Sequence, residues 1–449
     1  MAVRFGTDGV RGVANRDLTP EVALAIGRAA VRAFGSGRVV VGRDTRRSGP
    51  MLESAVAAGI AAEGADAVLV GVVPTPAVAL AAAHHGVAGV MISASHNPFG
   101  DNGIKLFAPG GLKLDDAEQS RVEDAIAEFL APGPHPGPEG AAVGSVSADP
   151  DALDRYGRSV ADAIEGRTLQ GLHVVLDCAN GSDSEVAPRV LAELGARVDV
   201  LADRPDGTNI NLDCGSTHPE ALAEAVVRLG ADVGVAFDGD ADRVLAIDHL
   251  GRVVDGDQIM ALCATDLRDR GRLAHDTVVV TVMSNLGFRH AMAAEGITVV
   301  ETKVGDRYVL EAMAAGGFSL GGEQSGHVVF GDLCTTGDGL LTAVMFLDLV
   351  RRAGAPLASL AEAAMTRLPQ VLVNVRLEGP VPDVAARVAD EVAAAEAELG
   401  DDGRVLLRPS GTEPVVRVMV EAPTEEVAGR VARSLADAVA AHCAAAGPG

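Results

Sequence analysis

Short apolar, β-branched runs alternate along most of this chain with longer Ala-rich stretches. The runs Arg38 to Val41, Ala67 to Val70 and Val87 to Ile92 are too short for helices and lack polar alternation, which predicts strands buried on both faces. Stretches such as Pro20 to Ala33 carry helical spacing between them. Strand and helix in alternation predict parallel sheets covered by helices on both faces. The Pro/Gly-rich stretch Ala131 to Ala142 interrupts the pattern. It resumes with Leu172 to Asp177, Val198 to Leu201 and Ala231 to Phe237, and restarts after a hairpin around His249-Leu-Gly-Arg, giving a third unit that runs to about residue 367.

The remaining residues follow a different order. Gln370 to Leu377 reads as a strand and Val381 to Leu399 as one long helix; Arg404 to Leu407 and Val415 to Glu421 read as strands, and Thr424 to Ala446 as a helix. That order suits a small α+β domain with an antiparallel sheet. The predicted class is therefore α/β: three consecutive α/β/α domains with mixed, largely parallel sheets (1–150, 151–252 and 253–367) and a C-terminal α+β domain (368–449), arranged around a central cleft.

Composition bounds what such a chain does. At 449 residues it exceeds the roughly 250–300 residues one core supports. With 48% apolar residues it has ample material for cores, which excludes disorder. No run approaches the roughly 18–20 apolar residues of a membrane helix, and Asp8 stands where a signal peptide needs its apolar segment. Five scattered cysteines without C-x-x-C spacing argue against a disulfide framework and against a thiolate metal site. These features predict a soluble, cytoplasmic protein with no membrane partner. The formal net charge of −25 argues against nucleic acid. An anionic substrate would then depend on local arginine clusters.

The candidate chemistry lies in polar loops directly after apolar strands: Gly42-Arg-Asp-Thr-Arg-Arg-Ser, Ser93-Ala-Ser-His-Asn-Pro, Asp238-Gly-Asp-Ala-Asp-Arg and Gly321-Gly-Glu-Gln-Ser-Gly-His. Open α/β sheets bind ligands beyond the carboxyl ends of their strands, so these loops are expected to converge. Asp238, Asp240 and Asp242 alternate at period two, so an extended loop would turn all three carboxylates one way. Hard oxygen ligands without His or Cys suit Mg²⁺. A calcium EF-hand fails, because Arg243 stands at the glycine position and His249 at the bidentate glutamate position. A solvated acidic turn is the bland alternative; three aspartates in register beside Arg243 favour the metal.

Ser95 alone is an ordinary turn serine. Its company is different: His96 adjoins it, Gly100 and Gly103 allow close backbone approach, and Lys105 follows ten positions later. The chain holds 37 Lys and Arg residues, of which only Lys105, Lys113 and Lys303 are lysines. Where arginine serves almost every positive charge, a retained lysine points to work arginine cannot do, such as losing a proton. A serine-hydrolase elbow, Gly-x-Ser-x-Gly, is absent around Ser95. In the last domain Arg408, Ser410, Gly411 and Thr412 supply a guanidinium, two hydroxyls and exposed amides, the parts of a phosphate cradle, although a plain hairpin turn looks similar. Glu323, Ser325 and His327 suit sugar hydroxyls, although a polar turn looks similar. Arg11, Arg43 and Arg46 add cations, each of which alone is more often a surface charge. A nucleophile, a hard-metal loop, a sugar loop and a separate phosphate clamp together describe phosphoryl transfer.

The motifs Phe5-Gly-Thr-Asp-Gly-Val-Arg-Gly, Ile92-Ser-Ala-Ser-His-Asn-Pro, Asp238-Gly-Asp-Ala-Asp-Arg, Thr302-Lys-Val-Gly-Asp-Arg-Tyr, Gly322-Glu-Gln-Ser-Gly-His and Arg408-Pro-Ser-Gly-Thr-Glu-Pro, in this order, resemble the α-D-phosphohexomutase superfamily over essentially the whole chain. Ser93, Cys214-Gly-Ser-Thr-His-Pro-Glu, Gln324, Pro409 and Gly411 are most similar to its branch acting on glucosamine phosphates; glucose and mannose phosphates are the competing substrates. The resemblance implies interconversion of glucosamine 6-phosphate and glucosamine 1-phosphate through a phosphorylated Ser95 and a hexosamine 1,6-bisphosphate that is both intermediate and activator. It implies one Mg²⁺ per chain, bound by Asp238, Asp240, Asp242 and the phosphate on Ser95. Lys105 is the implied general acid/base, with His96 and Arg243 at the transferred group. Lys303 and His327 would contact ligand, and Arg408, Ser410, Gly411 and Thr412, with Arg417, would hold the phosphate that is not reacting. A phosphosugar is the expected partner; a homodimer stays open. A metal-dependent phosphatase needs no second phosphate clamp, and a mere binding protein needs neither Ser95 nor Lys105.

Overall fold

The computed structural model describes residues 9–377, 383–409 and 414–444, and the chain divides into two compact units. The first runs to Met283 and resumes over Gly296–Ala364; the second joins residues 284–295 to the chain from Met365 onward.

Three sheets build the first unit. In the first sheet, strands Arg38–Arg43, Asp66–Val72, Ala88–Ile92 and Val146–Ala148 run parallel, while Asp101–Ala108 lies antiparallel to Ala88–Ile92 and pairs in turn with Val10–Val13 and Leu112–Lys113. Val39, Val40, Val41, Val90 and Ile92 are fully buried, as both-face burial requires. Helix Pro20–Phe34 shows how local signals set the boundaries. Thr19 caps it by accepting the Val22 N–H, Pro20 occupies the first turn, and Gly35 ends it in the left-handed conformation at φ 61°.

The second sheet orders Val253–Val254, Val244–Asp248, Val233–Phe237, His173–Asp177 and Arg197–Leu201, with the last three parallel and an antiparallel hairpin where the His249 turn predicts one. The third orders Thr298–Thr302, Thr277–Thr281, Leu320–Gly322 and Val328–Phe330. Mixed, mostly parallel sheets are thus present throughout this unit. One strand escapes the hydrophobic pattern. Asp101–Ala108 opens on Asp-Asn-Gly and is not among the predicted strands, yet it pairs Met91 with Lys105 and Ile92 with Ile104. Ser95 therefore lies in the connection between two paired strands, with Lys105 on the return strand.

The second unit holds a wholly antiparallel sheet, Gln370–Arg376, Val415–Glu421 and Arg404–Pro409, with Val415–Glu421 central. Val416, Val418 and Val420 pack with Val384, Leu399, Val431, Leu435 and Val439 from the helices and with Val388 between two of them. The predicted long helix is two, Val384–Arg387 and Ala389–Leu399, broken at Val388, a β-branched residue at φ −120°. Glu421, with 0% exposure, organises this unit. Its carboxylate accepts from Arg404 Nε at 2.7 Å, the Leu286 N–H at 2.8 Å and Asn285 Nδ2 at 3.2 Å, which binds the 284–295 segment to the sheet. Arg404→Ala removes the cation from a buried carboxylate and is expected to cost about 3–5 kcal/mol of unfolding free energy. Denaturant titration checks this; an unchanged midpoint contradicts it. Among the described residues, no helix is long and apolar enough to cross a membrane.

Candidate active site

The polar loops do follow their strands. Ser93 comes after Ile92, Asp238 after Phe237 and Glu323 after Gly322, so three sheets of the first unit deliver their loops at strand carboxyl ends. Ser95 is 1% exposed and sits at φ 53°, a left-handed conformation costly for a residue with a Cβ. That turn aims its hydroxyl at the aspartate loop, where Oγ donates to Asp238 Oδ2 at 2.5 Å. The two loops touch closely: a Cβ on Gly239 would lie 2.7 Å from the Ser95 carbonyl oxygen. Gly103 is required in the same way, because its Cβ would lie 2.4 Å from the Ser93 carbonyl oxygen, whereas Gly100 faces open space and close approach does not explain it.

The three carboxylates converge, but not by the extended route that their period suggests. Asp238 to Asp242 form a turn in which the Ala241 N–H bonds the Asp238 carbonyl at 3.0 Å and Ala241 adopts φ 56°. One oxygen from each of Asp238, Asp240 and Asp242 lies within 4.8 Å of the others, and all three side chains are buried. Lys105 Nζ reaches Asp240 Oδ2 at 2.7 Å and Asp242 Oδ2 at 3.2 Å with its side chain 3% exposed. Thr75 Oγ1 adds a bond to Asp240 Oδ2 at 2.6 Å.

Charge is unbalanced in this cluster. Burial, then the charges of Asp242 and Asp240, push Asp238 up to about 8. Burial also raises Asp242, but Lys105 first, then His327 and Arg243, outweigh it and hold Asp242 well below the ordinary carboxylate range. Asp240 Oδ1 and Asp242 Oδ1 are buried without a hydrogen-bond partner among the described residues. Hard oxygens crowded together, two of them unsatisfied and one carboxylate driven toward protonation, fit a small divalent cation.

His96 and Arg243 flank the nucleophile. Arg243 Nη1 lies 3.1 Å from His96 Nδ1, and Ser95 Oγ lies 3.4 Å from that nitrogen. Guanidinium only donates, so Nδ1 accepts and the ring proton belongs on Nε2. Burial, then the charges of Arg243 and Arg11, lower His96 and keep it neutral. Arg11 is half-buried on the strand that pairs with Gly103.

In the sugar loop, His327 is buried with Nδ1 3.8 Å from Asp242 Oδ1. Burial alone lowers this histidine, but Asp242 and then Asp306 and Glu323 prevail and raise it. Glu323 Oε1 accepts the Gly305 N–H at 3.2 Å, which brings the Lys303–Gly305 turn to this loop; burial raises Glu323. Ser325 and Lys303 are exposed. Gln324 Nε2 is bonded to Asp255 Oδ2 at 3.3 Å, so its amide nitrogen serves a helix cap. Lys113, for which the sequence suggests no role, pairs with Asp306 at 2.7 Å, and Asp306 lies 3.7 Å from His327.

None of the three arginines is a plain surface charge: Arg11 is half-buried, Arg43 is half-buried against Glu53 at 3.1 Å, and Arg46 is wholly buried against Asp44 at 2.9 Å. In the second unit Arg408 and Arg417 face each other in register, both half-buried. Ser410, Gly411 and Thr412 lie outside the described residues.

Thr75 and Asn211 have no sequence signal of comparable strength. Thr75 does follow a strand, Asp66–Val72, at the end where ligands gather. Asn211, from an irregular segment of the second sheet's domain, donates to the Ser95 carbonyl at 2.9 Å.

Comparison with known proteins accounts for the order of these loops. Family models described as phosphoglucomutase/phosphomannomutase match in four successive stretches: α/β/α domain I over residues 2–130, domain II over 154–251, domain III over 255–368, and the C-terminal domain over 372–438. The chain belongs to the phosphoglucomutase/phosphomannomutase family. Within it, a phosphoglucosamine mutase of Frankia alni is 59% identical over 432 residues, covering 93% of this chain and 94% of the relative. That of Mycobacterium ulcerans is 55% identical over 449 residues, covering 98% and 100%. A solved structure of a phosphoglucomutase/phosphomannomutase family protein from Burkholderia thailandensis is similar at a TM-score of 0.83 with 28% identity, covering 100% of this chain and 99% of that one.

Proposed function

We propose that this chain is an enzyme interconverting glucosamine 6-phosphate and glucosamine 1-phosphate through a phosphorylated Ser95 and a hexosamine 1,6-bisphosphate. One observation carries the chemistry: Ser95 Oγ lies 2.5 Å from Asp238, in a buried triad whose other carboxylates are engaged by Lys105. The near-full-length likeness to phosphoglucosamine mutases supports the substrate.

In the forward direction the bond between Ser95 Oγ and phosphorus breaks as the sugar O1 attacks, and the hydroxyl proton passes to a base. The bisphosphate then returns its 6-phosphoryl group to Ser95 and regenerates the enzyme. Lys105, buried beside the triad, would exchange that proton. Arg243 and neutral His96 flank Ser95 and would steady the moving group. Glu323, Ser325, His327 and Lys303 would take sugar hydroxyls, and Arg11 an anionic group. Arg408 and Arg417, with Ser410, Gly411 and Thr412, would bind the second phosphate, which supplies orientation. Asp238, Asp240 and Asp242 would hold one Mg²⁺, with an oxygen of the Ser95 phosphate as a further ligand. When bound, that ion neutralises charge building on the phosphoryl oxygens. The substrate is a phosphorylated metabolite, and the cytoplasm is the compartment proposed.

The test compares kcat/KM for glucosamine 6-phosphate, glucose 6-phosphate and mannose 6-phosphate, using bisphosphate-primed protein with Mg²⁺. The amino sugar is expected to be preferred. A clear preference for either of the others overturns the substrate assignment.

A further inference from the structure

We propose that Arg46 is a positioning residue for phosphoryl transfer, which locks the Ser95 loop in its strained turn. The proposal rests on the reading of Ser95 as phosphoryl carrier. Arg46 is the largest fully buried side chain of the described residues. Burying a guanidinium is costly unless its charge and donors are all matched, so a core that contains one needs a reason.

The matching is complete. Nε donates to Asp44 Oδ2 at 2.9 Å, Nη1 to the carbonyls of Pro98 at 2.5 Å and Asp101 at 3.1 Å, and Nη2 to those of Ser95 at 2.9 Å and Asn97 at 2.8 Å. Those are all the N–H donors a guanidinium has. Asp44 completes the circuit from the other side. It accepts the Arg46 N–H at 2.9 Å and the Ser93 hydroxyl at 2.6 Å, and Ser93 Oγ in turn accepts the Ser95 N–H at 2.9 Å. Both the N–H and the carbonyl of Ser95 are thus tied to one buried ion pair. Asn211 Nδ2 repeats the grip on the same carbonyls, Ser95 at 2.9 Å and Asn97 at 3.1 Å.

This clamp explains how Ser95 stays at φ 53°. A left-handed serine is strained and persists only where its surroundings over-determine it. Released, the residue relaxes to negative φ and swings Oγ away from Asp238. Lysine cannot substitute, because an ammonium has three donors about a point and no planar fork.

The test is Arg46→Lys, with Asn211→Ala as a milder variant that leaves no buried charge unpaired. For Arg46→Lys, kcat is expected to fall on the order of a hundredfold, with KM for the sugar phosphate within about twofold, since displacement of the carrier by about 1 Å has that effect on transfer. Asn211→Ala should shift kcat the same way by about tenfold, because Arg46 still holds both carbonyls. Inorganic phosphate released per turnover should rise in both, as water oxygen replaces Ser95 Oγ on phosphorus and the serine hydroxyl is regenerated. Amide exchange of the peptide spanning residues 92–103 should quicken in both. Where Arg46→Lys fails to fold, Asn211→Ala decides by itself. Wild-type kcat and phosphate release per folded molecule, or a lowered kcat with unchanged exchange in that peptide, overturns the proposal. A wild-type chain with no mutase activity instead overturns the underlying reading of Ser95.

Discussion

Ser95→Ala is expected to lower kcat by roughly 10⁴-fold or more, the scale seen when a covalent nucleophile is removed. The argument is geometric. Ser95 Oγ is the hydroxyl bonded to Asp238 at 2.5 Å, held there by a left-handed turn that nothing in the packing of a surface loop would require. Alanine retains the Cβ and the same backbone, so the turn and the fold should persist. What disappears is the atom that bonds phosphorus. Steady-state kinetics from bisphosphate-primed protein, with thermal melting as control, measure this. A variant retaining wild-type turnover would show that the sugar bisphosphate is made without this serine.

Lys105→Arg is expected to lower kcat by on the order of 10²–10⁴-fold, the usual contribution of a positioned acid/base. Charge is conserved in this change, which makes it discriminating. Arginine stays protonated and cannot accept a proton from a sugar hydroxyl, whereas a lysine amine is able to exchange one. Lys105 is 2.7 Å from Asp240 and 3.2 Å from Asp242 in a buried setting, so the variant must also keep its metal. Metal content measured beside kcat separates the two effects. Full metal occupancy with a severe rate loss is the expected result; near-normal turnover would show that only the positive charge matters there.

Much of the frame was legible because parallel strands buried on both faces announce themselves as unbroken apolar runs. Val87 to Ile92 and Ala231 to Phe237 by themselves locate the loops of Ser95 and Asp238. The same reasoning singles out Lys105 as a proton carrier but not the strand that holds it, since Asp101-Asn-Gly hides the start of a strand whose partner is the nucleophile's own strand. It treated the aspartates as an extended row, where the left-handed Ala241 makes a turn. It offers Arg46 only as a further cation, with a surface charge as the bland alternative, because burial of an arginine is decided by carbonyls of Ser95, Asn97, Pro98 and Asp101, which no side-chain pattern encodes. Asn211 and Thr75 are invisible for a related reason: each acts through contacts made across more than a hundred residues of sequence. Lys113, likewise unassigned in the sequence, takes its meaning from Asp306 in a different sheet's domain.

The central claim is that Ser95 carries the phosphoryl group between the two positions of the sugar. The most direct measurement incubates the protein with a hexosamine 1,6-bisphosphate bearing radiolabelled phosphate, maps the labelled peptide, and chases with unlabelled glucosamine 6-phosphate. The account predicts label on Ser95 alone, removed by the chase and recovered in sugar phosphate. Label on another residue, or label on Ser95 recovered only as inorganic phosphate, would contradict it.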